Sequence, residues 1–415
     1  MKELEARRTR FESHNAPAAA PAVAAAAAPT VVAAIGLAIA VTMPFFILRP
    51  NRIALGRGIG LVEVEPHILA IIAGSWIAYA FATARSSPKA AAAVAVAIAA
   101  LGMAAIGIAA SRLAGGDSIA RLSLGSGFWL LELATYAAFV IALRGGRVPT
   151  AARRSWALAS SLGIALLAVL LMTTGSLDAL SIMREWKTQR SVFATEMRRH
   201  AILTVSAVFA GGLVGLGVGG AAARRKAAKS AGFLFLNIFQ TIPSLALFGL
   251  LILPLSALAA RFPALRSWGI SGIGAAPALI ALSLYAALPI ARNTCAGLEG
   301  VPAAALDAGR GMGMGMTQLF LRVELPLSLP IVVAGFRTAT VQAVGNVAIA
   351  ALIGAGGMGT FIFQGLGQFA MDMVLMGTLP VIALALAADA AFDFLARAVT
   401  PRGLLAAAAP MEIAR

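Results

Sequence analysis

Few residues of this chain have the type and spacing to do chemistry, and most of them stand inside apolar runs. Arg337 lies eleven residues past Pro326, which is about 16 Å into its run if that run is helical. A guanidinium at such depth is costly and demands a bundle interior or an aqueous cavity with a partner. It could accept a carboxylate, hold carbonyls of a neighbouring broken helix or form part of a gate, but it cannot hold a quaternary ammonium directly. Gln342 and Asn346, four apart, share a helix face that points away from Arg337; they suit either a pathway lining or an interhelical hydrogen bond. In Gln240-Thr241-Ile242-Pro243-Ser244 the proline falls in mid-run. Its missing N–H breaks or kinks a helix, and freed carbonyls are tolerated in a membrane only where they face protein or water. Gln240, Thr241, Pro243 and Ser244 are therefore candidates for a pathway wall, with a packing kink as the plainer reading. Asp389, Asp393 and Arg397 follow at four-residue intervals, a pattern that suits an ion-paired helix end. Glu132 is the lone acid of its run.

Other chemistries find no support. The single cysteine, Cys295, and three scattered histidines, His14, His67 and His200, give neither a metal cluster nor a nucleophile–base pair. No catalytic residue and no metal ligand is expected. A P-loop needs Gly-Lys before Ser or Thr, and none of Lys2, Lys89, Lys187, Lys226 or Lys229 follows a glycine. Gly354, Gly356 and Gly359 match a dinucleotide fingerprint, but they follow an apolar helix rather than a strand. They suit a flexible turn or a short re-entrant piece.

The elements that must position these residues are set by composition. Of 415 residues, 60% are hydrophobic and 12% charged, against about 25% charged in soluble domains; the mean hydropathy is +0.89. The chain therefore reads as an all-α, polytopic membrane protein. Apolar runs near 30–48, 67–83, 90–110, 127–143, 156–175, 201–223, 231–253, 273–291, 327–351 and 373–396 give about ten transmembrane helices. The net charge of +16 comes from small groups between the runs rather than a basic face, which argues against nucleic acid. With the N-terminus inside, 20 of the 33 basic residues fall in segments facing the cytoplasm, 12 in the others, and Arg337 in a run. Both termini are thus expected inside. Ala18 to Ala28 reads as low-complexity and poorly ordered, and its place before the first run is the wrong order for a cleaved signal peptide. Residues 177–200 carry mixed charges and suit an amphipathic surface helix at the outer face. Gly211, Gly215 and Gly219 offer a close-approach surface to another helix.

The most informative stretch runs from Asn293 to Pro330. It reads as a short helix around Pro302 to Ala308, a glycine-methionine turn, and an amphipathic piece in which Leu319, Phe320 and Val323 share a side. Such a compact, partly apolar knob is suited to docking a partner. Asp307, Ala308 and Gly309, then Gly313 after three residues, then nine more to Val323-Glu324-Leu325-Pro326, resemble the coupling loop of binding-protein-dependent ABC importer permeases. That loop has Glu-Ala-Ala, three residues, Gly, nine residues, an aliphatic, any residue and Leu-Pro. Asp for Glu and Gly for the second Ala are the departures, and both keep charge or smallness.

Asn237 to Leu247, Leu288 to Thr294, Gly311 to Met314, Ala334 to Ala339 and Ile353 to Gly359 look like the osmoprotectant branch of that family, in a longer variant with extra N-terminal helices. The resemblance implies a permease subunit moving glycine betaine, choline or a related osmolyte through the bacterial inner membrane. It implies as partners cytoplasmic ABC ATPase subunits, which would hold the ATP and magnesium, an extracytoplasmic substrate-binding protein, and a second permease copy or sibling chain. No cofactor is then expected in this chain. The corresponding organisation is a cytoplasmic N-terminus over 1–29, a five-helix extension over 30–176, the outer linker over 177–200, a type-1 permease core over 201–398, and a cytoplasmic tail over 399–415. An ion-coupled secondary transporter is the alternative; it would favour mid-membrane acids and inverted repeats, which the sequence does not display.

Overall fold

Hydrocarbon offers no hydrogen bonds, so each apolar run satisfies its backbone internally as a helix. The structure, a computed structural model, describes residues 20–51, 54–113, 120–145, 148–267 and 269–401. Contacts divide the chain into two units whose boundary in sequence falls between Arg184 and Glu185. Nine of the described helices are long and apolar enough to cross a membrane, so the protein is multi-pass; the first helix adds a shorter apolar stretch, Ala27–Thr42.

The first unit contains α1 (Ala20–Thr42), α2 (Pro66–Ala84), α3 (Pro88–Leu113), α4 (Ser126–Gly145) and α5 (Thr150–Thr173). Helices α1 to α4 form a closed ring, each packed on two others, and α5 lies against α3. Trp76 and Tyr79 of α2 are fully buried. Gly36 makes room for the indole, because a Cβ there would lie 2.3 Å from the Trp76 ring. Tyr79 Oη donates to the Ala138 carbonyl at 2.9 Å, so the polar tip of this core residue is satisfied. At one end of the ring, β1 (Phe46–Arg49) pairs antiparallel with β2 (Arg57–Ile59) and β3 (Arg121–Leu124), in the order β2-β1-β3.

Two expectations for this region change. Helix α1 begins at Ala20, inside the tract read as poorly ordered, because alanine is the strongest helix former and Pro21 falls in the first turn, where its missing N–H costs nothing. The run at 30–48 ends as helix at Thr42; beyond Pro44, the β-prone Phe46-Ile47-Leu48 joins the sheet instead. The low-complexity N-terminus over residues 1–19 and the tail beyond 401 lie outside the described residues.

Helix α6 (Ser181–Thr188) crosses the boundary, and the second unit continues with α7 (Arg190–Arg224), α8 (Lys226–Thr241), α9 (Ser244–Arg261), α10 (Ala275–Glu299), α11 (Ala303–Gly311), α12 (Leu325–Ala350), α13 (Gly359–Gly367) and α14 (Met371–Val399). The amphipathic helix expected over 177–200 is only the short α6. Residues 190–200 are instead the head of α7, a 35-residue helix about 52 Å long. The run at 231–253 is not one span either. It breaks at Ile242-Pro243, where α8 stops and α9 starts.

Helix α10 is the centre of this unit, packed against α7, α8, α9 and α12. The glycine stripe of α7 explains the closest contact. A Cβ on Gly211, Gly215 or Gly219 would stand 2.5, 2.7 or 2.5 Å from the carbonyl oxygens of Ser283, Ala287 and Ala291. Each step of four along α7 meets a step of four along α10, so the two backbones touch throughout the stripe.

Candidate functional site

The coupling element is built from α11, a left-handed turn at Gly313 (φ +78°), one helical turn at Met316–Leu319, and a π turn at Phe320–Glu324 that runs directly into α12. A proline inside an α-helix clashes with the carbonyl four residues earlier. The wide π turn just before Pro326 gives that ring space without ending the helix. Residues from Met316 to Ala350 are thus one continuous helical run that bears Arg337 and Gln342.

Within the element the motif residues divide by role. Asp307 and Ala308 are exposed, as is Gly313; Asp307 pairs with Arg310 at 3.1 Å. Gly309 is buried against Leu319, whose Cδ1 would lie 2.6 Å from a Cβ at that position. Val323, Leu325 and Pro326 are half-buried. The shared side of Leu319, Phe320 and Val323 therefore packs inward and supports the knob. Its outward apolar surface comes from Met312, Met316 and Leu321, which are 69%, 78% and 54% exposed. Sequence spacing missed these three, although the glycine-methionine alternation of the turn was their visible signal. Arg224 at the end of α7 ties the element to the bundle, bonding Glu324 at 3.2 Å with its guanidinium over the Phe320 ring.

The break at Pro243 has its own partner, which the sequence did not disclose. Tyr285 Oη of α10 donates to the Ile242 carbonyl at 2.5 Å, and Gln240 Nε2 donates to the Tyr285 carbonyl at 2.6 Å. One tyrosine thereby answers the Ile242 carbonyl, which the break leaves between the two helices, and its own carbonyl anchors Gln240 in the last turn of α8. Thr241 bonds back to the Ile238 carbonyl at 2.8 Å. Thr241 and Pro243 are exposed, and Ser244 is half-buried at the start of α9.

Arg337 is bound from another helix. Its Nε and Nη2 donate to the two oxygens of Asp389 at 2.6 and 2.7 Å, a bidentate pairing suited to its planar fork. Asp393 lies 3.6 Å from Nη1 and also pairs with Arg397. The acid-acid-base face of α14 is thus an interhelical cluster rather than only a helix end, and Asp389 occupies the fork that a substrate carboxylate would need. Gln342 is exposed and Asn346 half-buried on α12; the structure brings neither to Arg337.

At the opposite end of α12 the glycine run is clasped. Gly354, Gly356 and Gly357 all have positive φ, a conformation only glycine adopts freely. Two buried N–H groups of the run bind α7. Gly357 N–H donates to Glu196 Oε2 at 2.5 Å and Met358 N–H to His200 Nδ1 at 3.3 Å. His200 Nε2–H donates in turn to the Val344 carbonyl at 3.0 Å. Both side chains are buried, and Arg199 pairs with Glu196 at 2.9 Å. The run is the turn expected between two spans, but its partners on α7 were not foreseen.

Comparison with known proteins finds relatives of this sequence among transport proteins. Residues 211–401 match the family model described as binding-protein-dependent transport system inner membrane component. Residues 26–183 match that of ABC transporter permease YehY, N-terminal domain. The chain is 38% identical to the glycine betaine/carnitine/choline transport system permease protein OpuCB of Bacillus subtilis, over 49% of this chain and 87% of that protein. It is 40% identical to the osmoprotectant import permease protein OsmW of Salmonella typhimurium, over 40% of this chain and 73% of that protein. An inward-facing MetNI methionine ABC transporter structure aligns at 28% identity over 52% of this chain and 99% of that one, with a TM-score of 0.44.

Proposed function

The chain belongs to the binding-protein-dependent transport system inner membrane components, and from that premise we propose that it is the permease subunit through which an ATP-driven importer takes up glycine betaine, choline, carnitine or a related osmolyte. In this reading both termini are cytoplasmic, as the distribution of basic residues favours. A separate ATPase subunit docks on Asp307, Ala308, Met312, Met316 and Leu321. An extracytoplasmic binding protein delivers the osmolyte, and a second permease chain completes the path.

The observation that carries the reading is the unbroken helix from Met316 to Ala350. A docked ATPase binds ATP with different affinity in its open and closed states, so ATP can shift the permease between conformations. A helix that is docked at one end and bears Arg337, Gln342 and Asn346 along its length converts that shift into motion of the bundle. The Pro243 break, held by Tyr285, supplies a second flexible wall. Residues 30–176 and the linker at 177–200 carry no assigned part in this cycle; the core at 201–398 does, and 1–29 and 399–415 flank it.

The test is reconstitution of the permease with its ATPase in proteoliposomes, with binding protein and radiolabelled glycine betaine outside. Uptake that requires ATP on the ATPase side and is competed by choline or carnitine is expected. Uptake that persists without ATP and follows a proton or sodium gradient would refute it.

A further inference from the structure

We propose that α3, α4 and α5 line a partly open binding site for a compact organic cation, built around Glu132. The three helices wall a cavity of about 220 Å³, to which α3 contributes Ala95 and Ala99, and α4 contributes Glu132, Tyr136 and Phe139. Glu132 sits six residues into α4, about 9 Å from its start, within a segment apolar enough to span the membrane. Its Oε1 is buried and takes no hydrogen bond, and among the described residues no basic side chain forms a salt bridge with it. A carboxylate in that position is costly unless something answers its charge.

The cavity's shape and lining select the partner. Gly102 leaves space for the carboxylate, since a Cβ there would stand 2.8 Å from Oε1. Tyr136 and Phe139 follow Glu132 by four and seven residues and so share its helix face, where aromatic rings favour a cation. No lysine or arginine lines the cavity, so nothing there would accept a ligand carboxylate, which Glu132 itself would repel. A bare metal ion needs six or more oxygen ligands or water in their place. The lining offers one carboxylate and the neutral hydroxyls of Thr135, Tyr136, Ser160 and Ser161, and among the described residues no second acid stands with it to hold a metal ion. The volume is below the roughly 300–1,000 Å³ of drug-sized pockets. A small ammonium with apolar substituents meets all these conditions, and a zwitterion does not. This site does not rest on the transport reading above.

The experiment uses the purified full-length chain in nanodiscs and tritiated tetramethylammonium in equilibrium dialysis. Saturable binding, competed by choline but not by glycine betaine, is expected, and Glu132→Gln should weaken it at least about tenfold with an unchanged melting temperature. Ala99→Met, which fills the cavity and keeps the carboxylate, should also abolish binding; it decides the matter if Glu132→Gln fails to fold. Labelling of Glu132 by dicyclohexylcarbodiimide should slow when tetramethylammonium is present. Absence of saturable binding, binding by either folded variant as tight as that of the unaltered protein, or labelling indifferent to the cation would overturn the site.

Discussion

Glu196 accepts the backbone N–H of Gly357 at 2.5 Å across 161 residues of sequence, and four residues further along α7 His200 accepts that of Met358. Gly354 and Ala355 donate back to Ala351 and Ala350, whereas for Gly357 and Met358 α7 supplies the acceptors, and the turn between α12 and α13 is fixed to it. Because Met358 donates to Nδ1, the imidazole proton resides on Nε2, where it bonds Val344. Glu196→Ala should cost about 1–3 kcal/mol, the penalty of an unsatisfied buried donor. Glu196→Gln keeps an acceptor oxygen and should cost less. Thermal unfolding in detergent ranks the two, and amide exchange should rise at Gly354 to Gly359 in the alanine variant.

The Arg337–Asp389 pair joins α12 to α14 by two hydrogen bonds. Arg337→Ala should lower the melting temperature, and so should Asp389→Asn. The exchanged variant, Arg337→Asp with Asp389→Arg, should recover part of the loss, because the interaction depends on opposite charge across the helices. A swap no better than either single change would show that the two residues act separately.

Tyr285 performs its task with one atom. Tyr285→Phe keeps the ring but leaves the Ile242 carbonyl beside Pro243 without its donor, at a cost of about 1–2 kcal/mol. Uptake in proteoliposomes should fall more than stability does, since the α8–α9 break would lose its fixed geometry. Unchanged uptake would place the break outside the conformational cycle.

These relationships show what the sequence could disclose. The short helix and turns of the 302–326 segment were legible because its residues lie within about twenty positions of one another and their spacing is itself the signal. The helix break was legible because proline has no N–H. The acid pair Asp389 and Asp393 was visible too, but periodicity reports neighbours on one helix, so it gave Arg397 as partner and could not give Arg337 on another. Tyr285, Glu196 and His200 were missed for the same reason. Tyr285 lies inside an apolar run and Glu196 and His200 in a charged stretch at the edge of one, and only the packing of α7, α10 and α12 reveals what each faces. Met312, Met316 and Leu321 were missed because an apolar residue reads as interior until the fold shows it outside.

Docking of an ATPase subunit depends above all on the exposed face formed by Met312, Met316 and Leu321. Met312→Asp combined with Met316→Asp changes two outward side chains and leaves Gly309, Leu319 and the continuous helix intact. The measurement is co-purification of the tagged permease with its ATPase subunit, made alongside membrane yield. A normal yield and a loss of the ATPase of about tenfold or more are expected, as for charges buried unpaired at an interface. Full recovery of the ATPase with the double variant would contradict docking on that face.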